Sequence, residues 1–496
     1  MFDQMMLGFQ VALTYSNILY CAIGVTLGTA IGVLPGLGPV ATISLLLPLT
    51  YNIPLDSSII LLSGIYYGAM YGGSTTSILV NLPGEAASVV TALDGYQMAK
   101  KGRAGVALGI AAIGSFVAGT VAIVGLNLFA PIVSRWAIKF GPPEYVALMV
   151  MGLTFITYLS SKSPLRSVIS ALIGLLLAVI GVDPEYGGAR LTFGTDTLLS
   201  GLDFAVIAMG LFGVGEVLYC LETSGETKLI TDKISQVFPS RKDLATAAGP
   251  ITRGSVLGFL VGLLPGGGAV IASLLSYAVE KRISKHPEEF GKGAIEGVAG
   301  PESANNAAAG SAFIPLLTLG LPSNAVMALM FGALMIHGVT PGPFLIKEVP
   351  ELFWGVVVSM YIGNVLLLIL NLPMIGFFIK LLKVRLSILS ACVLVITLIG
   401  VYSVNNNVFD MWILLLFGIV GYLMRKFEFE PGPLVLAFVL GPILETAFRQ
   451  SLIISNGTPA IFVTRPISLF FLCLAGLLVV SQLFGKKKKA GQNYEA

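Results

Sequence analysis

The sequence predicts an all-α polytopic membrane protein made of two inverted-topology repeats, each with a re-entrant Pro-Gly hairpin and a broken helix. Three observations predict it. Of 496 residues, 55% are hydrophobic and only 11% charged, with a mean hydropathy of +0.89; soluble domains carry roughly 25% charged residues. A Pro-Gly-x-Gly stretch occurs twice, 230 positions apart. The loop after the first copy lacks basic residues, whereas the loop after the second is basic.

The duplication comes first. Leu27–Leu45 and Leu257–Leu275 share nine of nineteen positions: Leu27/Leu257, Gly28/Gly258, Gly32/Gly262, Leu34/Leu264, Pro35/Pro265, Gly36/Gly266, Gly38/Gly268, Val40/Val270 and Leu45/Leu275. Ordered identity around a Pro-Gly break in apolar sequence points to an internal duplication of about half the chain. The chain then divides into a first repeat (1–222), a cytoplasmic linker (223–250), a second repeat (251–485) and a basic cytoplasmic tail (486–496).

A spanning helix needs roughly 20 apolar residues. Segments of that kind are 59–82, 104–131, 143–160, 165–182, 204–221, 352–379, 386–403, 409–424, 459–483 and 433–448. Residues 40–51, 251–264 and 269–280 are too short to cross. Short segments around a Pro/Gly break suggest hairpins or broken helices, which a membrane tolerates only when buried in protein or lining a cavity.

Loop charges orient the chain. Lys100, Lys101 and Arg103, the segment 222–253, Lys281, Arg282 and Lys285, Lys380 with Lys383, and Arg425 with Lys426 form basic loops, read as cytoplasmic. Tyr51–Ser58, Asp183–Asp203 and Ser403–Asp410 lack this excess. Arg135 and Lys139 are exceptions, in a loop placed outside. Because YNIPLDSS and KRISKHPEEFGK fall on opposite sides, the repeats are inverted. Lys486–Lys489 places the C-terminus in the cytoplasm, beside anionic lipid.

A second unusual stretch follows each Pro-Gly copy. The first is Gly68–Glu85, with Ser74, Thr75, Thr76, Asn81, Pro83 and Gly84; the second runs from Pro301 to Asn324, with Glu302, Ser303, Asn305, Asn306, Pro322 and Ser323. Gly72-Gly73 offers a place to leave helical geometry. Helix N-termini suit an anion, and unwound carbonyls suit Na⁺, as at the midplane of inverted-repeat transporters. The plainer reading is that small residues allow close helix packing. Pro35, Gly36, Gly38, Pro265, Gly266, Gly267 and Gly268 form the expected hairpin tips. Glu302, Asn305 and Asn81 are the coupling-ion candidates; Glu302 serves equally well as a helix-terminus charge. Glu216 is read as structural or interfacial.

Other classes lose ground. The net charge of +3 does not suggest nucleic acid, and Cys21, Cys220, Cys392 and Cys473 lie far apart in apolar stretches. No G-x-x-x-x-G-K-[ST], H-E-x-x-H or G-x-S-x-G occurs, so no ATPase or hydrolase chemistry is indicated. No cofactor is expected beyond a possible coupling Na⁺.

The stretches GVLPGLGPVATISLLLPL, YYGAMYGGSTTSILVNLPGE, GLLPGGGAVIASLLSYAVEKR and PESANNAAAGSAFIPLLTLGLPSN resemble those of the TctA family, the large membrane subunit of bacterial tripartite tricarboxylate transporters. The resemblance covers almost the whole chain. It implies a non-enzymatic permease of the bacterial inner membrane, driven by Na⁺ or H⁺ and importing carboxylates such as citrate. It further implies a small four-helix membrane subunit and a periplasmic solute-binding protein as partners. Analogy with other inverted-repeat carboxylate carriers suggests elevator-type motion. A passive channel or scaffold subunit for organic anions is the alternative.

Overall fold

In the computed structural model, residues 2–34, 38–159, 163–183, 185–223, 237–264, 266, 268–382 and 386–492 are described. The first half runs α1 (Phe2–Ala12), α2 (Tyr15–Gly32), α3 (Pro39–Leu46), α4 (Leu55–Val80), α5 (Val89–Lys100), α6 (Ala104–Ala137), α7 (Pro142–Leu159) and α8 (Pro164–Ala178). A small antiparallel hairpin, β1 (Gly181–Val182) and β2 (Ala189–Arg190), precedes α9 (Phe204–Ala208). A π-helical turn, Met209–Val214, joins α9 to α10 (Gly215–Thr223).

The second half runs α11 (Arg241–Gly262), α12 (Gly268–Ile283), α13 (Glu296–Ser311), α14 (Phe313–Leu319), α15 (Ala325–Ile336), α16 (Leu345–Glu348) and α17 (Pro350–Asn371). It ends with α18 (Ile375–Leu381), α19 (Leu386–Asn405), α20 (Val408–Lys426), α21 (Pro431–Ile454), α22 (Ile461–Thr464) and α23 (Pro466–Gln492).

Among the described residues, seven helices are long and apolar enough to cross a membrane: α2, α6, the α9–α10 unit, α11, α17, α20 and α21. Their outer faces carry large apolar side chains, such as Val121, Leu128 and Ile132 on α6 and Leu416 and Ile419 on α20. An apolar exterior on this scale suits lipid rather than water. The main core lies where α4, α13, α15 and α17 meet, around the fully buried Tyr66, Phe313, Phe353 and Trp354.

Backbone proximity, more than side-chain bulk, fixes the central helices. Gly24, Gly28 and Gly32 of α2 face α4, and a Cβ on each would overlap the carbonyl oxygen of Leu61, Ile65 or Ala69. Gly254, Gly258 and Gly262 of α11 meet the carbonyls of Gly300, Ala304 and Ala308 of α13 in the same way. Both pairings use every fourth residue, one helical turn apart, so small side chains align in a stripe and the helices approach closely. The halves also exchange partners: α6 packs on α13 while α17 packs on α4, and α21 packs on α8 while α20 packs on the π turn and α10.

Several elements differ from the sequence expectation. Gly72 and Gly73 do not break α4, which is continuous; they admit α2 and Gly84–Glu85 at close range. Residues 251–262 belong to a 22-residue helix, which takes in 241–250 of the expected linker. Counted from 251 the segment is too short to cross, but with 241–250 it is long enough, and its Arg253 is paired with the buried Glu280 of α12, Nε–Oε1 2.9 Å and Nη2–Oε2 2.5 Å. The segment 352–379 divides after Asn371, and 459–483 begins its long helix only at Pro466. That helix continues to Gln492, into the expected tail.

Candidate functional site

Each Leu-Pro motif forms a helix stop followed by a new start. Asn81 ends α4 in the left-handed conformation (φ 58°, ψ 27°), and Gly320 ends α14 likewise (φ 68°, ψ 26°). A left-handed residue commonly terminates a helix, and proline just beyond it prevents continuation. Leu82-Pro83 and Leu321-Pro322 occupy those positions. Next comes a polar cap: Glu85 accepts from the Ala87 N–H at 2.7 Å, and Asn324 from the Met327 N–H at 2.9 Å. Such caps satisfy orphan donors at a helix start.

The Pro-Gly breaks lie alongside. Gly38 precedes α3, with Pro39 in its first turn. Gly266 (φ +76°) and Gly268 (φ +48°) adopt backbone that side chains disfavour. The Gly266 N–H donates to the Ser323 carbonyl at 2.8 Å, tying the second Pro-Gly break to the second Leu-Pro break.

All four breaks open onto one cavity of about 410 Å³. Gly38–Ala41, Pro83–Ala86, Gly268–Val270 and Asn324–Val326 line it, together with Tyr66 and Met70 of α4, Phe212 of the π turn, Glu216 of α10 and Arg425 of α20. The first turns of α3, α12 and α15 thus face the cavity. Helix N-termini present unpaired N–H groups and partial positive charge. A cavity of this volume falls within the usual range for small-molecule sites.

A buried polar network joins the halves through α4, α5 and α13. Glu302 is fully buried; its carboxylate accepts from the Ser74 hydroxyl at 2.5 Å and from the Thr91 hydroxyl. Glu85 accepts from Asn305 Nδ2 at 3.0 Å. Asn306 Nδ2 donates to Ser115 Oγ at 2.7 Å and to the Glu302 carbonyl at 3.0 Å. Thr76 donates to the Val33 carbonyl at 2.5 Å. Asn305 Oδ1, Ser303 Oγ and Ser323 Oγ are buried without a hydrogen-bond partner among the described residues. Such oxygens are uncommon in native structures and each calls for a reason. No cluster of three or more His, Cys, Asp or Glu occurs among the described residues.

Beside the half-buried Gly266, the sequence-derived residues fall into four groups. Gly38, Pro83, Gly84 and Gly268 line the cavity. Ser74, Thr75, Thr76, Glu302, Ser303, Asn305, Asn306, Pro322 and Ser323 are buried but are not among the residues lining it. Asn81 is exposed and serves as the end of α4. Pro35, Gly36, Pro265 and Gly267 lie outside the described residues.

Sequence reasoning missed Tyr66, Met70, Phe212 and Arg425 as cavity residues, and gave Glu216 only a structural or interfacial place. Arg425 looked like one more cytoplasmic loop charge. The overlooked signal is Gly418 and Gly421, about two turns and one turn before it. Gly421 abuts the Leu211 carbonyl of the π turn and Gly418 abuts Val214, so α20 is close enough for Arg425 to pair with Glu216.

The family model described as "Tripartite tricarboxylate transporter TctA family" matches residues 18–436. A protein of Agrobacterium vitis described as "Uncharacterized 52.8 kDa protein in TAR-I ttuC' 3'region" is 51% identical over 477 residues, covering 96% of this chain and 95% of that protein. A second from the same organism, "Uncharacterized protein in TAR-II ttuC' 3'region", is 54% identical over 226 residues, 46% of this chain and 93% of that protein. No solved structure matches.

Proposed function

Because this chain belongs to the tripartite tricarboxylate transporter TctA family, a family of multi-pass membrane transporter components, we propose that it is the large permease subunit of a binding-protein-dependent secondary carrier importing carboxylates. Citrate and related organic acids are the substrate class. One observation carries the reading: residues from both Pro-Gly breaks and both Leu-Pro breaks line a single cavity, with three helix starts facing it. Helix starts of this kind favour anions, and duplicated broken elements meeting at one site are typical of secondary transporters.

The coupling ion is Na⁺ or H⁺, handled by the network behind the cavity. Glu302 is the group to exchange a proton; Asn305 Oδ1, with Ser303 and Ser323 Oγ, offers neutral oxygens suited to Na⁺. The partner exchange between halves supports an inverted repeat and an elevator-type motion of one body against the other. A small four-helix membrane subunit and a periplasmic solute-binding protein complete the system in the bacterial inner membrane, with the C-terminus cytoplasmic.

The test is uptake of labelled citrate and a carboxylate panel into proteoliposomes containing the chain and its small subunit. Binding protein is added outside, under imposed Na⁺ or proton gradients. Concentrative uptake that needs one gradient and the binding protein is expected. Equilibration indifferent to both gradients would favour a passive organic-anion channel instead.

A further inference from the structure

We propose that Arg425 is the substrate anchor of the cavity, held by Glu216 when no organic acid is bound and transferred to a substrate carboxylate on binding. The inference rests on the carboxylate-carrier reading and assigns its recognition chemistry. Arg425 is the only cation among the described cavity residues, and Glu85 and Glu216 are the only carboxylates. An organic anion entering this cavity meets two acids of its own sign. Helix starts supply partial charge, but an anion of two or three charges needs a full counter-charge when water is displaced.

Arg425 is built for that exchange. Its Nη2 pairs with a Glu216 carboxylate oxygen, while its Nε is buried without a hydrogen-bond partner among the described residues. A guanidinium offers five N–H groups in a planar fork that fits a carboxylate with two parallel hydrogen bonds. Glu216 thus takes one of the two donors on the Nε/Nη2 edge and leaves the other, Nε, unused. A buried unused donor is costly, and a ligand carboxylate would satisfy it. The Arg425 side chain is about one-third exposed and Glu216 about one-tenth, and both line the cavity.

The support beneath it is rigid. Gly210 and Gly215 of the α9–α10 unit meet α20 at Leu414–Phe417 and Gly421, so these helices run parallel in backbone contact. The π turn that carries Phe212 lies directly against α20, and π-helical turns recur at functional sites. Tyr66 of α4 also lines the cavity, its hydroxyl accepting from Asn324 Nδ2 at 3.4 Å. Arg425, Tyr66 and the helix starts thus give a multivalent carboxylate donors from several elements.

An ordinary structural ion pair and a substrate anchor make opposite predictions. Breaking a structural pair from either end has the same kind of effect. In the anchor, Glu216 competes with substrate for Arg425, so its removal helps. The experiment measures Kd for labelled citrate on the purified complex with its small subunit, and KM for citrate uptake in proteoliposomes. It compares Arg425→Gln, Arg425→Lys, Glu216→Gln and the double variant, all confirmed as inserted and monodisperse.

Arg425→Gln is expected to raise Kd and KM by ~30-fold or more, the scale for losing one partner of a buried charge pair. Arg425→Lys is expected to recover only part of that loss. Glu216→Gln is expected to lower both constants, and the double variant to behave like Arg425→Gln. Matching increases from Arg425→Gln and Glu216→Gln, or unchanged constants in Arg425→Gln, would overturn the anchor while wild-type accumulation keeps the carrier reading intact. Wild-type protein that neither binds nor accumulates any carboxylate would remove that reading and the anchor with it.

Discussion

The hydroxyl of Ser74, on a helix of the first half, donates to the carboxylate of Glu302, on a helix of the second, at 2.5 Å. With Thr91 as the other donor, this carboxylate is satisfied wholly by hydroxyls rather than by a cation. Ser74→Ala removes one of two partners from a fully buried group, a loss of about 1–3 kcal/mol. Thermal unfolding in detergent should show it as a lowered midpoint, and Thr91→Ala should act alike. Glu302→Gln keeps the shape and should leave the midpoint much closer to wild type while abolishing any proton dependence of uptake. An unchanged midpoint in both hydroxyl variants would mean that the contact contributes nothing.

Asp94 is a second junction between the halves. Its Oδ1 accepts from the N–H groups of Gly291, Gly293 and Ala294 at 2.9, 2.7 and 2.8 Å, and its Oδ2 from the Tyr277 hydroxyl at 2.9 Å. One buried side chain thus organises the approach to α13. Asp94→Ala should cost about 3 kcal/mol or more, with Asp94→Asn intermediate. The same unfolding assay checks it; a loss under about 1 kcal/mol would contradict the junction.

The glycine stripes predict paired sensitivity. Gly28→Ala and Gly258→Ala each push a methyl into a carbonyl, of Ile65 and Ala304 respectively. Each should destabilise by about 1–3 kcal/mol, the scale for overpacking a tight interface. Gly476→Ala, with open space at its Cβ, should be neutral or slightly stabilising. Unfolding midpoints of the three variants decide the matter, and a neutral result at either stripe position would show that the helices can separate freely.

How far the sequence discloses this arrangement depends on the range of each cause. The ends of α2, α4 and α14 are local, written in Pro and Gly, and legible. Gly72-Gly73 misleads because glycine serves both to bend a helix and to let another approach, and only α2 and Gly84–Glu85 show which applies. Arg253 reads as the last charge of the basic segment 222–253 because its partner Glu280 lies 27 residues on, beyond a helix break. Arg425 reads as loop charge because charge counting says which residues end a helix, not where that end points.

Outside the membrane helices, Asp183 supplies a pH signature. Hydrogen bonds from the Tyr186 and Glu185 N–H groups, and then the Arg449 guanidinium, hold its carboxyl down at about 2. A depressed carboxylate contributes stability above its unfolded value, near 4, and loses it as pH falls through the folded value. The wild-type unfolding midpoint should therefore fall relative to Asp183→Asn between pH about 4 and 2. Parallel curves for the two proteins across that window would contradict the assignment.

The central claim is that the duplicated motifs share one substrate cavity, and site-specific labelling tests it most directly. Val40 and Val270 are equivalent in the two Pro-Gly copies, 230 residues apart, and both line the cavity. Each is replaced by cysteine in a chain whose four native cysteines are changed to serine, and maleimide labelling is timed against citrate concentration. Citrate should slow both reactions with one shared half-maximal concentration, while Gly476→Cys labels at an unchanged rate. Protection of only one site, or of neither at concentrations that saturate uptake, would contradict a single cavity built by both copies.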